Sequence, residues 1–474
     1  MMSLVFNLLR MLEFILAGIV AGLLGALAGL GGGVVLTPVL TLFLSVPIIY
    51  ATGSALVSTI STSAGSASVY VRRRLANDRI GISLVTATTT GAIIGSLTAN
   101  YVYTHHLTWI IYVIFGLVLL ASIVPPTVQR STCELPPPRN PDWSTKAFRL
   151  YGVCYDPALK IWYRYWGVRW WLGWLIMLFA GFISGLLGIG SGALKVLAMD
   201  WGMNLPMKVS TTTSNFMIGV TAATSGSLYW FFGYISPFIA ACTAIGVLLG
   251  SRIGTRMLMY VTNRQVRWVF VAILAYLGFR MVLRGGLGRE GVLPITSMER
   301  NIVAAIFASI IIISLYFVFT YKYKETQDIT LSIYQAQPEN PGRIELKFIN
   351  ITSNLLKYGG VFISIALLVI GLILIFAHGS GLGIPLNKII DPSSRVDTSM
   401  ITIMEVINGD LRLDGLSLML TGLLILIAIP VIMVALNLIR FIMERDTLYT
   451  VLAAITLVNL FLAIFVLPIL ILHK

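Results

Sequence analysis

Charge is scarce in this sequence. Asp, Glu, Lys and Arg make up 11% of its 474 residues, where soluble domains carry roughly 25%. So few ionised side chains cannot wet a globular surface of this size, and a water-soluble fold is excluded. Cysteine is as sparse. Cys133, Cys154 and Cys242 form neither a disulfide framework nor a paired CxxC metal spacing. The four histidines include no HExxH pair, and there is no Walker A loop and no GxSxG in a strand–turn–helix setting. Enzymes and ATP-driven pumps are disfavoured, and nothing calls for a cofactor or a metal.

Apolar residues, by contrast, make up 57% of the chain. The runs starting at Trp109, Asn301 and Gly360 approach or reach the ~20 residues that cross a hydrocarbon core. The first apolar stretch continues into further apolar sequence with no cleavage pattern, so it reads as a membrane helix rather than a removable signal peptide. The net charge is +14, with the basic residues mostly in loops between apolar runs. That is the positive-inside pattern of a multi-pass protein of the cell membrane. It needs no nucleic-acid partner. The lipid bilayer is the environment it implies, and a homo-oligomer stays open.

The apolar segments repeat. AGLLGALAGLGGGVV from Ala21 aligns with AGFISGLLGIGSGAL from Ala180. At a constant spacing of 159 residues, Gly29 meets Gly188, Gly31 meets Gly190, Gly33 meets Gly192 and Thr52 meets Thr211. Beyond Tyr70 the spacing falls to 155, and GAIIGS at Gly91 falls on GVLLGS at Gly246. Two homologous halves therefore occupy residues 12–125 and 168–284.

Within each half an apolar helix runs to a glycine cluster. A stretch too short to span alone follows (34–46, 193–205), then a Ser/Thr-rich helix (51–71, 210–231) and two ordinary spans. The short stretch is either the returning arm of a re-entrant hairpin or part of one helix broken at the glycines. RRRLANDR and the group Arg252, Arg256, Arg264 and Arg267 should both face the cytoplasm. A hairpin with no net crossing plus three spans satisfies this by inverting the second copy, although Arg284, Arg289 and Arg300 run against it. The expected fold class is an all-α polytopic membrane protein. It comprises two inverted repeats, each a re-entrant or broken helix hairpin plus three transmembrane helices, followed by a C-terminal four-helix membrane block. That block is a helix at 300–320, a polar linker at 321–353 and a three-helix domain at 354–474. A polar insert at 126–167, expected in the cytoplasm, separates the repeats. In the linker, RIELKFINIT alternates weakly as a strand.

The clusters GLGGG (29–33) and GIGSG (188–192) are the sharpest feature. Backbone that leaves helical geometry inside a membrane must be shielded from lipid or line a cavity. Glycine permits the turn and lets a solute approach the main chain. A helix begins just after each cluster, with unpaired N–H groups at its start. Tight helix packing is the plainer account, but duplication ahead of a truncated helix favours a binding site for a small anionic substrate. The candidates are Gly29, Gly31, Gly32, Gly33, Gly188, Gly190, Ser191 and Gly192. Thr52 and Ser54, with Thr211, Thr212 and Asn215, open the helices beside the glycine exits. Lys195 stands three residues past Gly192, where the first copy has Leu36. A membrane lysine faces a cavity or a partner, so it either holds the anion or pairs with Asp200. Arg252 stands where the first copy has Leu97, and snorkelling toward the basic loop is its simpler account. Cys133 and Cys154 form a redox pair or are bystander thiols.

These motifs, together with YATGSALVST, KVSTTTSNF and GVLLGSRIGTRM, resemble the sulfite exporter TauE/SafE family of membrane transporters over residues 14–284. The resemblance implies a permease, often an exporter, for sulfite, thiosulfate, sulfoacetate or related anions. It carries over to Gly29, Gly31, Gly32, Gly33, Gly188, Gly190, Gly192 and Arg252. Ser191, Lys195 and the long insert depart from the family pattern. The C-terminal residues 354–474 resemble a small uncharacterised prokaryotic membrane family. The expectation is a secondary transporter working by alternating access around a midplane site, with a coupling proton left open. A passive channel and an assembly or signalling role for the C-terminal block are the alternatives.

Overall fold

Small residues at every fourth position decide how the helices meet. The computed structural model describes the chain except residues 1, 29–30, 73–75, 124–138, 157–160, 258–262, 287–296, 323–347, 349, 353, 355–359, 393, 395 and 473–474. The first half comprises α1 (Met2–Ala28), α2 (Gly33–Leu42), α3 (Ile48–Arg72), α4 (Asp78–Thr104) and α5 (Thr108–Ala121). The insert folds as α6 (Trp143–Ala147) and an antiparallel hairpin of β1 (Tyr151–Asp156) and β2 (Ile161–Trp166). The second half repeats the order as α7 (Trp170–Leu187), α8 (Gly192–Leu197), α9 (Met207–Phe231), α10 (Pro237–Met257) and α11 (Asn263–Gly286).

The halves exchange their first helices. α1 packs along α10, and α7 packs along α4. The contacts are backbone to backbone: a Cβ on Gly22 would lie 2.2 Å from Val247 O, and one on Gly250 would lie 2.1 Å from Ile19 O. Helices without a hydrophobic drive between them gain by approaching this closely. Ile15, Ile19 and Leu23 meet Gly246, Gly250 and Gly254 in turn, so α1 and α10 run parallel. α4 and α7 do the same, with Leu178 and Phe182 against Gly91 and Gly95. Equivalent helices run opposite ways. On α3 and α9, Ser63 bonds Asn215 O while Gly226 lies by Ile60 and Leu56. On α5 and α11, Gly116 lies by Val282 while Gly285 lies by Trp109. The short α2 turns back from α1, with Gly33 beside Ala55 and Thr59 of α3.

This packing makes a strong prediction. Gly181→Leu would drive a side chain into Thr88 O, 2.2 Å from its Cβ position, at a cost of ~3 kcal/mol or more. Size-exclusion chromatography of detergent extracts should show loss of the monodisperse peak. Gly286→Ala, with nothing within 4 Å of its Cβ, should elute as the parent does.

After α11 come α12 (Ser297–Lys322), α13 (Val361–His378), a short hairpin of β3 (Ser380–Gly381) and β4 (Ile384–Pro385), α14 (Leu386–Ile390) and α15 (Ile403–Leu411). α16 (Gly415–Met443), α17 (Thr447–Phe461) and α18 (Leu467–Leu472) complete the C-terminal unit. The weak strand signal lies mostly outside the described residues, and residues 348 and 350–352 are helical. Seven described helices are long and apolar enough to cross a membrane: α1, α4, α7, α10, α13, α16 and the run from α17 to Leu470. The chain is an all-α multi-pass membrane protein. The Ser/Thr-rich α3 and α9 are not among the seven. Their buried hydroxyls bond inside the bundle instead, as Ser58 Oγ does to Thr243 Oγ1 (2.9 Å), and a helix wrapped by helices needs no apolar surface.

Candidate functional site

Glycine eases the two turns that follow α1 and α7. Gly31 has φ +80°, Gly188 +69° and Gly190 +68°, values that cost an L side chain roughly 1–2 kcal/mol. Ser191 adopts φ +46° as well. Gly29 lies outside the described residues. The turns of the two halves meet. A Cβ on Gly31 would stand 3.6 Å from Thr59 Cγ2 and 3.7 Å from Ile218 Cδ1, and one on Gly190 would stand 2.7 Å and 3.0 Å from Cγ2 of the same two residues. Thr59 and Ile218 are themselves 159 residues apart. Each turn therefore touches its own half's Ser/Thr-rich helix and the other half's at equivalent positions. A Cβ on Gly33 would lie 3.5 Å from Gly188 O, and one on Gly188 would overlap Thr52 O at 2.5 Å.

The short helices start at these turns. Gly32 is helical and caps α2, its carbonyl accepting from Val35 N (3.2 Å) and Leu36 N (3.0 Å). The six-residue α8 continues into a π turn over Ala198–Gly202. Gly192, like the turns, is buried.

The hydroxyls divide into two groups. Thr52 donates to Ile49 O (2.9 Å) and stands 3.1 Å from Tyr103 Oη. Thr212 donates to Val209 O (3.2 Å); Thr211, beside it, is half-buried. Asn215 is buried, and its carbonyl accepts from Ser63. Ser54, Ser184, Ser191, Ser210 and Ser225, however, bury hydroxyls that find no partner among the described residues. A buried hydroxyl without a partner costs roughly 1–3 kcal/mol, so this second group is the one a polar solute would satisfy.

Lys195 is fully buried. Its Nζ donates to Thr221 Oγ1 at 2.8 Å and lies 3.5 Å from Met217 O. Thr221 Oγ1 in turn donates to Met217 O (2.7 Å), with Thr88 Oγ1 of α4 at 3.1 Å. No carboxylate pairs with Lys195 among the described residues, so the alternative of an ion pair with Asp200 is not realised. The other buried charged side chains described are Asp397, Arg440 and Asp446, all in the C-terminal unit. Arg252 is exposed on α10. Cys133 and the side chain of Cys154 lie outside the described residues, while Cys242 is a buried free thiol.

The sequence reading singled out neither Thr59 nor Ile218, although the repeat spacing pairs them as it pairs the glycines. Nor did it find the tyrosine group beside Thr52. Tyr103 and Tyr234 meet edge to face at 5.1 Å, Tyr229 and Tyr234 at 5.5 Å, and Tyr229 Oη reaches Gly185 O at 3.0 Å. No spacing signals that group, because its members come from two halves.

Residues 14–281 match the family described as Sulfite exporter TauE/SafE. Residues 352–465 match a family described as Protein of unknown function (DUF1634). The chain is similar to the probable membrane transporter protein YunE of Bacillus subtilis, 23% identical over 279 residues that cover 57% of this chain and 97% of that protein. It is also similar to the probable membrane transporter protein YjnA of the same organism, 31% identical over 110 residues, 23% of this chain and 42% of that one. No solved structure matches.

Proposed function

The chain belongs to the sulfite exporter TauE/SafE family, and we propose that it is a secondary transporter for small sulfur-containing or organic anions such as sulfite, thiosulfate or sulfoacetate, working as an exporter. The observation that carries this reading is the meeting of two bare main-chain turns, one from each half, between Thr59 and Ile218. Lys195, three residues past Gly192, is a buried amine with no carboxylate partner among the described residues, and several buried serine hydroxyls likewise have no partner there. Such a set suits an anion. Donors fixed in a dry, low-dielectric setting hold negative charge strongly.

The turns are buried, as the closed form of an alternating-access cycle requires. A solute has to part them, and the opposed direction of equivalent helices gives the motion: one half rocks on the other and exposes the turns to each side in succession. The test is counterflow in proteoliposomes loaded with unlabelled anion. Labelled sulfite, thiosulfate or sulfoacetate should accumulate saturably, and zwitterionic taurine should compete weakly. Flux that rises linearly with concentration at ionic conductance would instead identify a channel. Absence of flux for every anion would refute the substrate class.

A further inference from the structure

The C-terminal unit lies outside the residues that match the TauE/SafE family, yet it contacts both halves, near Phe216 of α9 and again just beyond the end of that helix. At one end α16 delivers Arg440, 7% exposed, whose guanidinium meets Asp78 of α4 at 2.8 Å and Glu444 at 2.8 Å. Arg79 reaches Asp446 at 3.5 Å, and Arg149 of the insert reaches the same carboxylate at 3.1 Å. Between Asp78, Arg440, Asn437 and Phe216 of α9 lies a cavity of about 10 Å³, room for about one water molecule. At the opposite end Thr398 donates its hydroxyl to Trp230 O (2.6 Å) and its N–H to Ile235 O (3.2 Å). Its neighbour Asp397 accepts from Tyr50 at the start of α3 (3.5 Å). Midway, Pro430 of α16 lies 3.7 Å from the Cβ position of Gly219, and Asn459 donates to Thr89 and Thr90 of α4 at 3.0 and 3.1 Å.

The Asp397–Thr398 end bonds both halves directly, whereas at the Arg440 end the charges tie the C-terminal unit to the first half and the insert, and α16 reaches the second half by packing against Gly219 and by the cavity that Phe216 lines. Tyr50 and Asp78 belong to the first half, while Ile235, Phe216 and Gly219 belong to the second. If the halves rock, as the transport reading requires and on which this inference rests, the bridge on the opening side must break. The end at Arg440 is built of charges, three guanidiniums against three carboxylates, with Asp446 only 8% exposed. Partly buried charge pairs cost far more to separate than exposed ones.

We propose that the C-terminal unit is a brake on the transporter, an accessory domain whose Arg79–Arg149–Arg440 cluster with Asp78, Glu444 and Asp446 locks the two halves in the closed arrangement. Releasing the cluster frees the rocking motion.

The test reads opening without substrate. A single cysteine is placed at buried Ser191 in a full-length background with the three native cysteines replaced, and maleimide labelling is timed in native membranes. Arg440→Gln should speed labelling about fivefold, and Asp446→Asn should do likewise if the first variant does not accumulate. Arg440→Lys should label close to the parent rate, because it keeps the charge. Arg412→Gln removes an exposed arginine of the same unit outside the cluster and should change nothing. Equal labelling of Arg440→Gln, Asp446→Asn and the parent overturns the brake, as does acceleration by Arg412→Gln. Because no anion is added, a null result here leaves counterflow standing, and a failure of counterflow leaves this readout intact.

Discussion

Gly190→Leu is expected to abolish anion counterflow while the protein still inserts in the membrane. The position has φ +68°, and its Cβ would lie 2.7 Å from Thr59 Cγ2 and 3.0 Å from Ile218 Cγ2. Left-handed backbone and overpacking together cost ~3 kcal/mol, about a hundredfold in rate if the strain falls on the transport cycle. The larger effect is steric, since the leucine fills the seam where the turns must part around the solute. Gly32→Ala is the contrast. Gly32 has helical φ −67°, and its nearest neighbours, Ala21 O, Thr62 Oγ1 and Val247 Cγ1, all lie 3.4 Å from the Cβ position. That variant should keep most of its counterflow. Normal flux in Gly190→Leu would remove the turns from the solute path.

The contrast also marks how far the sequence could be read. The 159-residue spacing identified equivalent glycines, and in the structure Gly31 and Gly190 do share Thr59 and Ile218. A repeat tells which residues correspond but not which pack, so it could not distinguish Gly32, in open helical geometry, from Gly190. The same limit hid the exchange of α1 and α7 between halves. Gly18 and Gly22, or Gly246, Gly250 and Gly254, announce a close helix contact by their spacing of four, and nothing in that spacing names the partner helix. Hydropathy is silent in another way. α3 and α9 read as long Ser/Thr-rich helices in the sequence, and their burial is secured by bonds such as Ser58 to Thr243, a property of the assembled bundle. The depth of Lys195 was legible because charge is so rare here. Its acceptor, Thr221, was not, since the nearer acidic residue in sequence was Asp200.

Lys195→Met should weaken anion transport and strengthen the empty protein. The amine is buried against one hydroxyl at 2.8 Å and one carbonyl at 3.5 Å, with no carboxylate beside it among the described residues. Removing an unpaired buried charge in favour of an apolar side chain of similar length is neutral or stabilising. The equivalent position in the first half already holds fully buried Leu36, which shows that the architecture accepts an apolar residue there. A charge-assisted bond to the solute, at ~1.5–3 kcal/mol, would be lost, raising the half-saturating anion concentration about 10- to 100-fold. Lys195→Arg keeps the charge in a different shape and should lie between. The readouts are concentration-dependent counterflow and the unfolding midpoint in detergent without anion. A structural lysine would lower both in the methionine variant. A solute-binding lysine moves them in opposite directions, and added sulfite should then raise the midpoint of the parent but not of Lys195→Met.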